Sequence, residues 1–375
     1  MKLFIILYTV IAVFFSMYSL QPVLPVMAED FGVPMSVVAY TNSLIFIPLC
    51  VAPIFYGYIL EHFRARYIMV FSLFAMSFFG VLVALTKDFE LVLIYRVAQA
   101  VFFPAALTVT LTLLSRYDVN NVKKYMGFYI SATVFGGMVG RLLGGFLSDL
   151  FSWQEMFIFV SALSALGGVL YLFVHENVII KNKISPQSIL SILRNKQYLY
   201  VYLSISLVYF MLAGILNMLP FRAKELSNGD ISETAIGMLY FGFFSGVLLP
   251  IIVHKFAIFA DYLRSFLFFI SLCFGALLLL LIPSVEVIFW VMFVFCAGVF
   301  GSHNIATVYV NHLSLEKKAL TNGFYLSFYY LGGIFGAQIP VMIYEQSSFS
   351  LAIFFLCFVA VVAFSIIFSL RKSLS

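Results

Sequence analysis

Long apolar runs, each about 20 residues in length, follow one another along the whole of this 375-residue chain. A run of that length forms a helix that spans the roughly 30 Å hydrocarbon core of a bilayer. Only 10% of the residues are charged, against about 25% in soluble domains, so the chain cannot cover a water-facing surface. Strands of a membrane β-barrel would alternate over about ten residues, and these runs do not. The sequence therefore predicts an all-α membrane protein.

About twelve such runs are present. The predicted spans are residues 3–27, 35–60, 67–86, 91–114, 125–149, 153–174, 197–221, 232–256, 263–283, 286–310, 319–343 and 348–370. The longest polar stretch separates the first six spans from the last six. We therefore predict an N-terminal six-helix bundle at 1–175, a cytoplasmic linker at 176–196 and a C-terminal six-helix bundle at 197–375.

Basic residues concentrate on one side of the membrane when the spans alternate. With a cytoplasmic N-terminus, sixteen of the 21 Lys and Arg residues fall on the cytoplasmic side. Lys87, Arg222 and Lys224 fall outside, and Arg96 and Arg141 lie within spans. This positive-inside bias predicts a multi-pass protein of a bacterial-type cytoplasmic membrane with both termini in the cytoplasm. The net charge of +5 thus reflects membrane orientation, and no nucleic-acid partner is expected.

The two halves share a sequence repeat. Residues 127–141, GFYISATVFGGMVGR, align without gaps to residues 323–337, GFYLSFYYLGGIFGA, with seven of fifteen positions identical. A weaker pair matches Leu24-Pro25 to Leu219-Pro220. Two parallel six-helix repeats are the architecture of secondary transporters that bind substrate between their halves. The repeat predicts two pseudo-symmetric bundles.

Small residues recur every four positions in the fifth span, at Gly136, Gly140, Gly144 and Ser148. Such a stripe lies on one face of a helix and lets a neighbouring helix approach closely. We interpret these glycines as packing residues.

Four segments carry a resemblance to a known family. They are QPVLPVMAEDFGV (21–33), GYILEHFRAR (57–66), LIYRVAQAVFFPAA (93–106) and GGMVGRLLGG (136–145). They are similar to the end of helix 1, the loop 2–3 gating signature, the helix 4 signature and the helix 5 antiporter signature of the major facilitator superfamily. The chain most resembles the drug/proton antiporter group of small-molecule and sugar effluxers. It departs at Glu61, where aspartate is usual, and at Arg141, where proline is common.

The resemblance implies a secondary active transporter that moves a small organic molecule by alternating access, with proton-coupled efflux as the expected mode. The alternative is an importer, facilitator or exchanger of a small organic anion without proton antiport. We expect a monomer in the lipid bilayer that uses no cofactor.

Arg96 and Arg141 are the two charged residues predicted inside the membrane. A charge at the bilayer centre costs at least about 2.5–3.5 kcal/mol. Ala337 occupies the repeat position of Arg141, so helix packing does not require an arginine there. None of the 16 acidic residues lies near the middle of a span. Either Glu29 or Asp30 folds down from the end of helix 1, or an anionic or electron-rich substrate group completes the site.

Further polar side chains are predicted to line the substrate cavity. They are Tyr18, Gln21, Asn42, Gln99, Asn217, Asn304, Tyr329 and Tyr330. Prolines are predicted to interrupt helices 1 and 7 and to free carbonyl groups where a substrate could bind; these are Pro22, Pro25 and Pro220.

The proton carriers are expected among other residues, because arginine does not release its proton at physiological pH. The candidates are Glu29, Asp30 and His303, and a histidine changes charge in the appropriate pH range. A packing role for His303 is the alternative. Glu61, Arg64 and Arg66 are predicted to form a cytoplasmic gating latch, with positive-inside anchoring as the alternative.

Signals of an enzyme are missing from the sequence. The five histidines show no metal-ligand spacing and the four cysteines no paired spacing. The chain contains no phosphate-binding GxxxxGK[ST] loop and no nucleophile motif. We expect neither catalysis nor a metal site.

Overall fold

The computed structural model describes residues 2–52, 63–117, 122–174, 191–253, 261–313 and 318–374. Within these ranges the chain is almost entirely helical and contains no strand. Among the described residues, ten helices are long and apolar enough to cross a membrane, and the shorter apolar helices Lys2–Tyr18 and Glu233–Leu249 accompany them. Each of the twelve predicted spans overlaps one of these segments, while residues 53–60 and 254–256 of two spans lie outside the described residues. The predicted all-α membrane fold is confirmed.

We number the helical segments α1 to α12, some of which consist of consecutive pieces. In the first half they are α1 (Lys2–Tyr18 and Leu24–Phe31), α2 (Met35–Val38 and Tyr40–Ser43, within the span Met35–Ala52), α3 (Ala65–Leu85), α4 (Phe89–Ala100 and Phe103–Tyr117), α5 (Val122–Leu150) and α6 (Trp153–Tyr171). In the second half they are α7 (Lys196–Leu226), α8 (Glu233–Met238, the 3₁₀ turn Leu239–Gly242 and Phe243–Val253), α9 (Tyr262–Leu279), α10 (Val285–Leu313), α11 (Lys318–Gly336 and Ile339–Gln346) and α12 (Phe349–Leu374).

The chain forms two compact units. The first contains Met1–Asn182 together with Ile231–Met238, and the second contains Lys183–Asp230 and Leu239–Ser375. The first piece of α8 therefore belongs to the same unit as α1 to α6. Most of the predicted linker, residues 176–190, lies outside the described residues.

The glycine stripe of α5 packs directly on the backbone of α1. A Cβ atom added to Gly136 would lie 2.9 Å from the Ile11 Cα atom, and one added to Gly140 would lie 2.9 Å from the Phe15 Cα atom. Gly144 approaches Ser19 in the same way. No side chain fits in these spaces, so the predicted close approach through small residues is confirmed.

The second unit repeats this packing between α11 and α7. Gly332 lies against the backbone of Ser206, and Gly336 lies against the backbone of Phe210. At the third contact the glycine lies on the other helix, because Pro340 of α11 meets Gly214 of α7. A Cβ atom added to Gly214 would lie 2.7 Å from Pro340 Cγ. In the first unit the glycine of this third contact belongs to α5, whereas in the second it belongs to α7.

Proline breaks α1 as predicted. The first piece ends at Tyr18 and the second begins at Leu24. Pro22 has no N–H group, and the Gln21 N–H donates to the Tyr18 carbonyl (3.1 Å) in a tighter turn than that of an α-helix. Pro25 lies at the start of the second piece, where a missing N–H is tolerated.

The predicted break of α7 is wrong. This helix runs without interruption from Lys196 to Leu226 with Pro220 inside it. Pro220 removes the N–H group that would bond to the Leu216 carbonyl, four residues earlier. The Tyr240 hydroxyl of α8 donates to that carbonyl instead (2.9 Å), so the buried acceptor stays satisfied and the helix continues.

Candidate functional site

Arg141 lies in α5 and is 1% exposed. Its Nε atom donates to Gln21 Oε1 in the break of α1 (2.6 Å), and its Nη1 atom donates to the Gly137 carbonyl (2.7 Å). The guanidinium carbon lies 4.0 Å from the centre of the Tyr18 ring, within the range of a cation–π contact. Three residues predicted from the sequence, Arg141, Gln21 and Tyr18, therefore meet at one place. We call them the arginine cluster.

Glycines make room around Arg141. A Cβ atom at Gly137 would lie 3.3 Å from Arg141 Nη1, closer than is usual for side-chain contacts. On the backbone side, a Cβ atom at Gly237 in the first piece of α8 would lie 3.0 Å from the Arg141 carbonyl oxygen. Thr234 of the same piece donates to the Asp149 carboxylate near the end of α5 (2.6 Å). The first piece of α8 thus fixes the backbone that carries the arginine.

Arg96 lies in α4 and contacts α1 next to its break. It is fully buried; Nη1 donates to the Ser16 carbonyl (3.1 Å) and Nη2 to the Met17 carbonyl (2.7 Å). An uninterrupted helix would supply backbone N–H donors to both carbonyls, and the break removes them. The break therefore leaves these two carbonyls free of backbone donors, and Arg96 occupies both. This residue caps the end of the first piece of α1.

Gln99 completes the cap. Its Oε1 atom accepts from Arg96 Nη1 (2.5 Å), while its Nε2 atom donates to the Met76 carbonyl of α3 (2.9 Å) and to Ser16 Oγ (3.2 Å). The Phe157 ring of α6 lies 5.3 Å from the Arg96 guanidinium carbon. The contacts of Arg96 are therefore neutral and aromatic, and they tie α1, α3, α4 and α6 together.

The acidic residues at the end of α1 lie at the protein surface. Glu29 and Asp30 are both exposed. The Asp30 carboxylate accepts from Trp153 Nε1 of α6 (2.6 Å) and lies 3.5 Å from Gln154 Nε2. The alternative in which Asp30 folds towards the arginines is wrong, because the hydrogen-bond donors of Asp30 come from α6.

A second cluster, which contains three residues predicted from the sequence, lies in the other unit. His303 of α10 has its Nδ1 atom 2.8 Å from the Tyr325 hydroxyl of α11, and the centre of its ring lies 4.9 Å from that of Tyr329. Tyr329 stacks on Tyr209 of α7 with 3.8 Å between ring centres, and Tyr330 meets Tyr209 edge to face at 6.0 Å. We call these five residues the histidine cluster.

Tyr209 and Tyr325 are members that sequence reasoning missed. The chain has 22 tyrosines, and neither lies beside a charged residue that would mark it. The one available signal was the repeat, in which Tyr325 matches Tyr129.

The predicted asparagines have different surroundings. Asn217 of α7 is fully buried and donates to the Ala337 carbonyl between the two pieces of α11 (3.0 Å), much as Arg96 serves α1. Asn304, next to His303, has a buried Oδ1 atom with no hydrogen-bond partner among the described residues. Asn42 is buried in α2.

The cytoplasmic latch stays a prediction. Glu61 lies outside the described residues. Arg64 is exposed and precedes α3, whereas Arg66 donates to the Leu172 carbonyl just after α6. Arginine is favourable at such a helix C-terminus because carbonyl groups there lack partners.

Metal ligands do not assemble in the described part of the chain. Its His, Cys, Asp and Glu residues form no group of three that could hold an ion. The four cysteines are free thiols within helical segments.

Comparison with known proteins gives a consistent family. A sequence profile described as Major Facilitator Superfamily matches residues 6–337. An uncharacterized transporter of Buchnera aphidicola subsp. Schizaphis graminum is 26% identical over 85% of this chain and 79% of its own length. The multidrug resistance protein MdtG of Proteus mirabilis is 23% identical over 62% of this chain and 58% of its own length. The crystal structure of the nucleoside transporter NupG superposes with a TM-score of 0.81 at 12% identity, covering 98% of this chain and 99% of that one.

Proposed function

The chain belongs to the Major Facilitator Superfamily, and on that premise we propose that it exports a small organic molecule across the cytoplasmic membrane in exchange for protons. Membership makes it a multi-pass membrane transporter and not an enzyme. Export by alternating access, proton coupling and cytoplasmic termini are the proposed part. The similarity to a multidrug resistance protein supports the direction of transport.

The observation that carries the proton coupling is the position of His303. Of the two histidines that the structure describes, His312 lies in the last turn of α10, whereas His303 lies about ten residues before its end, or about 15 Å along the helix axis. Histidine is the side chain whose ordinary charge change falls near neutral pH. A group of this kind inside a membrane span is a natural site for a transported proton.

Substrate binding is proposed at the arginine cluster. Arg141 is fixed in direction by Gln21 and Gly137, so its guanidinium is already oriented for a ligand. A planar guanidinium recognises carboxylate or phosphate through paired donors. The repeat supports a role beyond packing, because the matching residue in the second half is Ala337.

The test is transport by purified protein in proteoliposomes under an imposed pH gradient, with cationic dyes and small carboxylates as substrates. We expect substrate movement opposite to the proton gradient. His303→Gln should remove the dependence on the gradient, and the matched control His312→Gln should keep it. If transport by the His303→Gln protein still depended on the pH gradient, the coupling proposal would be overturned.

A second candidate function is exchange of a small organic anion without proton coupling. Arg141 favours it, since a guanidinium buried in a span is a binding group for an anion and cannot carry a proton itself. In the same proteoliposomes, carboxylate exchange at equal rates with and without a pH gradient would support this candidate against proton-driven export.

A further inference from the structure

The Tyr325 hydroxyl has two acceptors on the same histidine. It lies 2.8 Å from the His303 Nδ1 atom and 3.2 Å from the His303 carbonyl oxygen. Thr307, one turn later in α10, donates its hydroxyl to that carbonyl as well (2.8 Å). A tyrosine hydroxyl carries one donor and can also accept. It can therefore change its direction of donation without moving its oxygen atom.

We propose that Tyr325 is a positioning residue that lets His303 take up and release a proton inside the membrane span; this rests on the proposed function. With neutral imidazole, the hydroxyl donates to the Nδ1 lone pair. When a proton arrives on Nδ1, the new N–H donates to the tyrosine oxygen and the hydroxyl turns to the His303 carbonyl. Tyr325 keeps its own proton, and the imidazole gains one proton and one positive charge.

Both states leave the Nδ1 atom with a hydrogen-bond partner. This matters because an unsatisfied polar group costs about 1–3 kcal/mol when buried. The imidazolium state also gains from the Tyr329 ring, whose centre lies 4.9 Å from that of His303, in the range of cation–π attraction. The Tyr329 ring in turn stacks on the Tyr209 ring. A charge change on His303 is thus felt by the aromatic residues from α7 and α11.

The described groups that contact His303 are uncharged. From α11 they are the Tyr325 and Tyr329 phenols, and from its own helix the Thr307 hydroxyl. Ion pairs of described residues are found at Arg222–Glu225 and around Asp261, and neither involves His303. Among the described residues, the hydrogen bond to Tyr325 is therefore the polar contact that bears directly on the protonation of the ring.

Tyr325→Phe tests the proposal, because it removes the hydroxyl and keeps the ring. Hydrogen bonds of charged groups are stronger than those of neutral ones, so the imidazolium loses more than the imidazole. We expect half-protonation of His303 to move to lower pH by about 1 unit. Tyr129→Phe is the matched control, since Tyr129 occupies the same repeat position in the first half, and it should cause no shift.

The measurement is an NMR titration of ¹⁵N-labelled imidazole in detergent-solubilised protein. His303 is observed alone after replacing the other four histidines, His62, His175, His254 and His312, with glutamine. Size-exclusion profiles and melting temperatures establish that each variant is folded. An unchanged His303 titration in folded Tyr325→Phe protein would overturn the inference.

Transport measured on the same variants separates this inference from the proposed function. We expect the pH at which proton-driven export is half-maximal to fall by about the same unit in Tyr325→Phe. If export by the His303→Gln variant is still driven by the proton gradient, the coupling proposal fails. The NMR shift, measured separately, then still decides whether Tyr325 controls the protonation of His303.

Discussion

The two halves of this transporter share a packing scheme and differ in the chemistry that the packing carries. Gly136 and Gly140 in the first unit, and Gly332 and Gly336 in the second, bring equivalent helices together at equivalent positions. Just beyond these contacts, the first half places a permanent cation at Arg141, whereas the second places Ala337. The second half instead has a titratable group, His303, within tyrosines. The repeated backbone thus serves as a scaffold on which each half has acquired its own polar residues.

The shared packing can be broken in both halves at once. Gly140→Leu and Gly336→Leu each push a side chain into the backbone of the facing helix, and overpacking costs about 1–3 kcal/mol or more. We expect both variants to lose monodisperse protein in size-exclusion chromatography. Gly275→Leu in α9 is the control, because nothing lies within 4 Å of a Cβ atom there, and it should elute as the wild type does. Normal elution of either interface variant would contradict the packing scheme.

Arg96 and Arg141 differ in what they support, although both are buried arginines of the first unit. Arg96→Ala leaves the Ser16 and Met17 carbonyls without their donor. Hydrogen bonds between membrane helices contribute about 0.6–1.7 kcal/mol each, so we expect a loss of about 2–3 kcal/mol of stability. Thermal unfolding in detergent measures this. A variant as stable as the wild type would show that the break in α1 does not need the cap.

Arg141→Ala should lose less stability than Arg96→Ala, because it removes one hydrogen bond to another helix where Arg96→Ala removes two, and its main defect should be in transport. Loss of a charge-assisted contact to an anionic group costs about 1.5–3 kcal/mol, which is about a 10- to 100-fold loss of apparent substrate affinity. Arg141→Lys keeps the charge without the paired donors and should lie between the two. Substrate concentration curves in proteoliposomes provide the measurement. Unchanged curves for Arg141→Ala would assign this arginine to structure alone.

The smallest effect concerns the unbroken α7. Tyr240→Phe removes the donor to the Leu216 carbonyl and should cost about 1 kcal/mol. Pro220→Ala supplies a backbone N–H in its place, so the double variant should recover most of this loss. A thermal double-mutant cycle measures the coupling. Additive effects of the two substitutions would show that the tyrosine does not compensate for the proline.

Much of this architecture could be predicted because its signals extend over many residues. Each span is marked by about 20 apolar positions, so single exceptions do not hide it. Arg141, Gln21 and Tyr18 could be selected because polar groups are rare in such spans. The contact among these three side chains could not be predicted, since it depends on the exact position of the break in α1.

Other features lay beyond sequence reasoning for a different physical reason. The continuity of α7 at Pro220 depends on a hydroxyl that arrives from α8 through tertiary packing. Tyr209 and Tyr325 gain their importance from the ring or nitrogen that they meet, and a chain with 22 tyrosines does not distinguish them. The identity of a proline or tyrosine limits the interactions that the residue can make, and its neighbours in the fold determine which of them it makes.

The change of sides between Gly144 and Gly214 has a consequence for how such proteins evolve. Gly144 faces Ser19 in the first unit and Gly214 faces Pro340 in the second, so each glycine keeps the equivalent helix crossing of its own unit tight, but from the opposite helix of the pair. Selection at such a crossing acts on the summed volume of the two facing side chains. A larger residue on one helix is therefore tolerated only when the facing residue on the other helix is smaller. Among descendants of the duplicated ancestor, residue sizes at these paired positions should accordingly be anticorrelated.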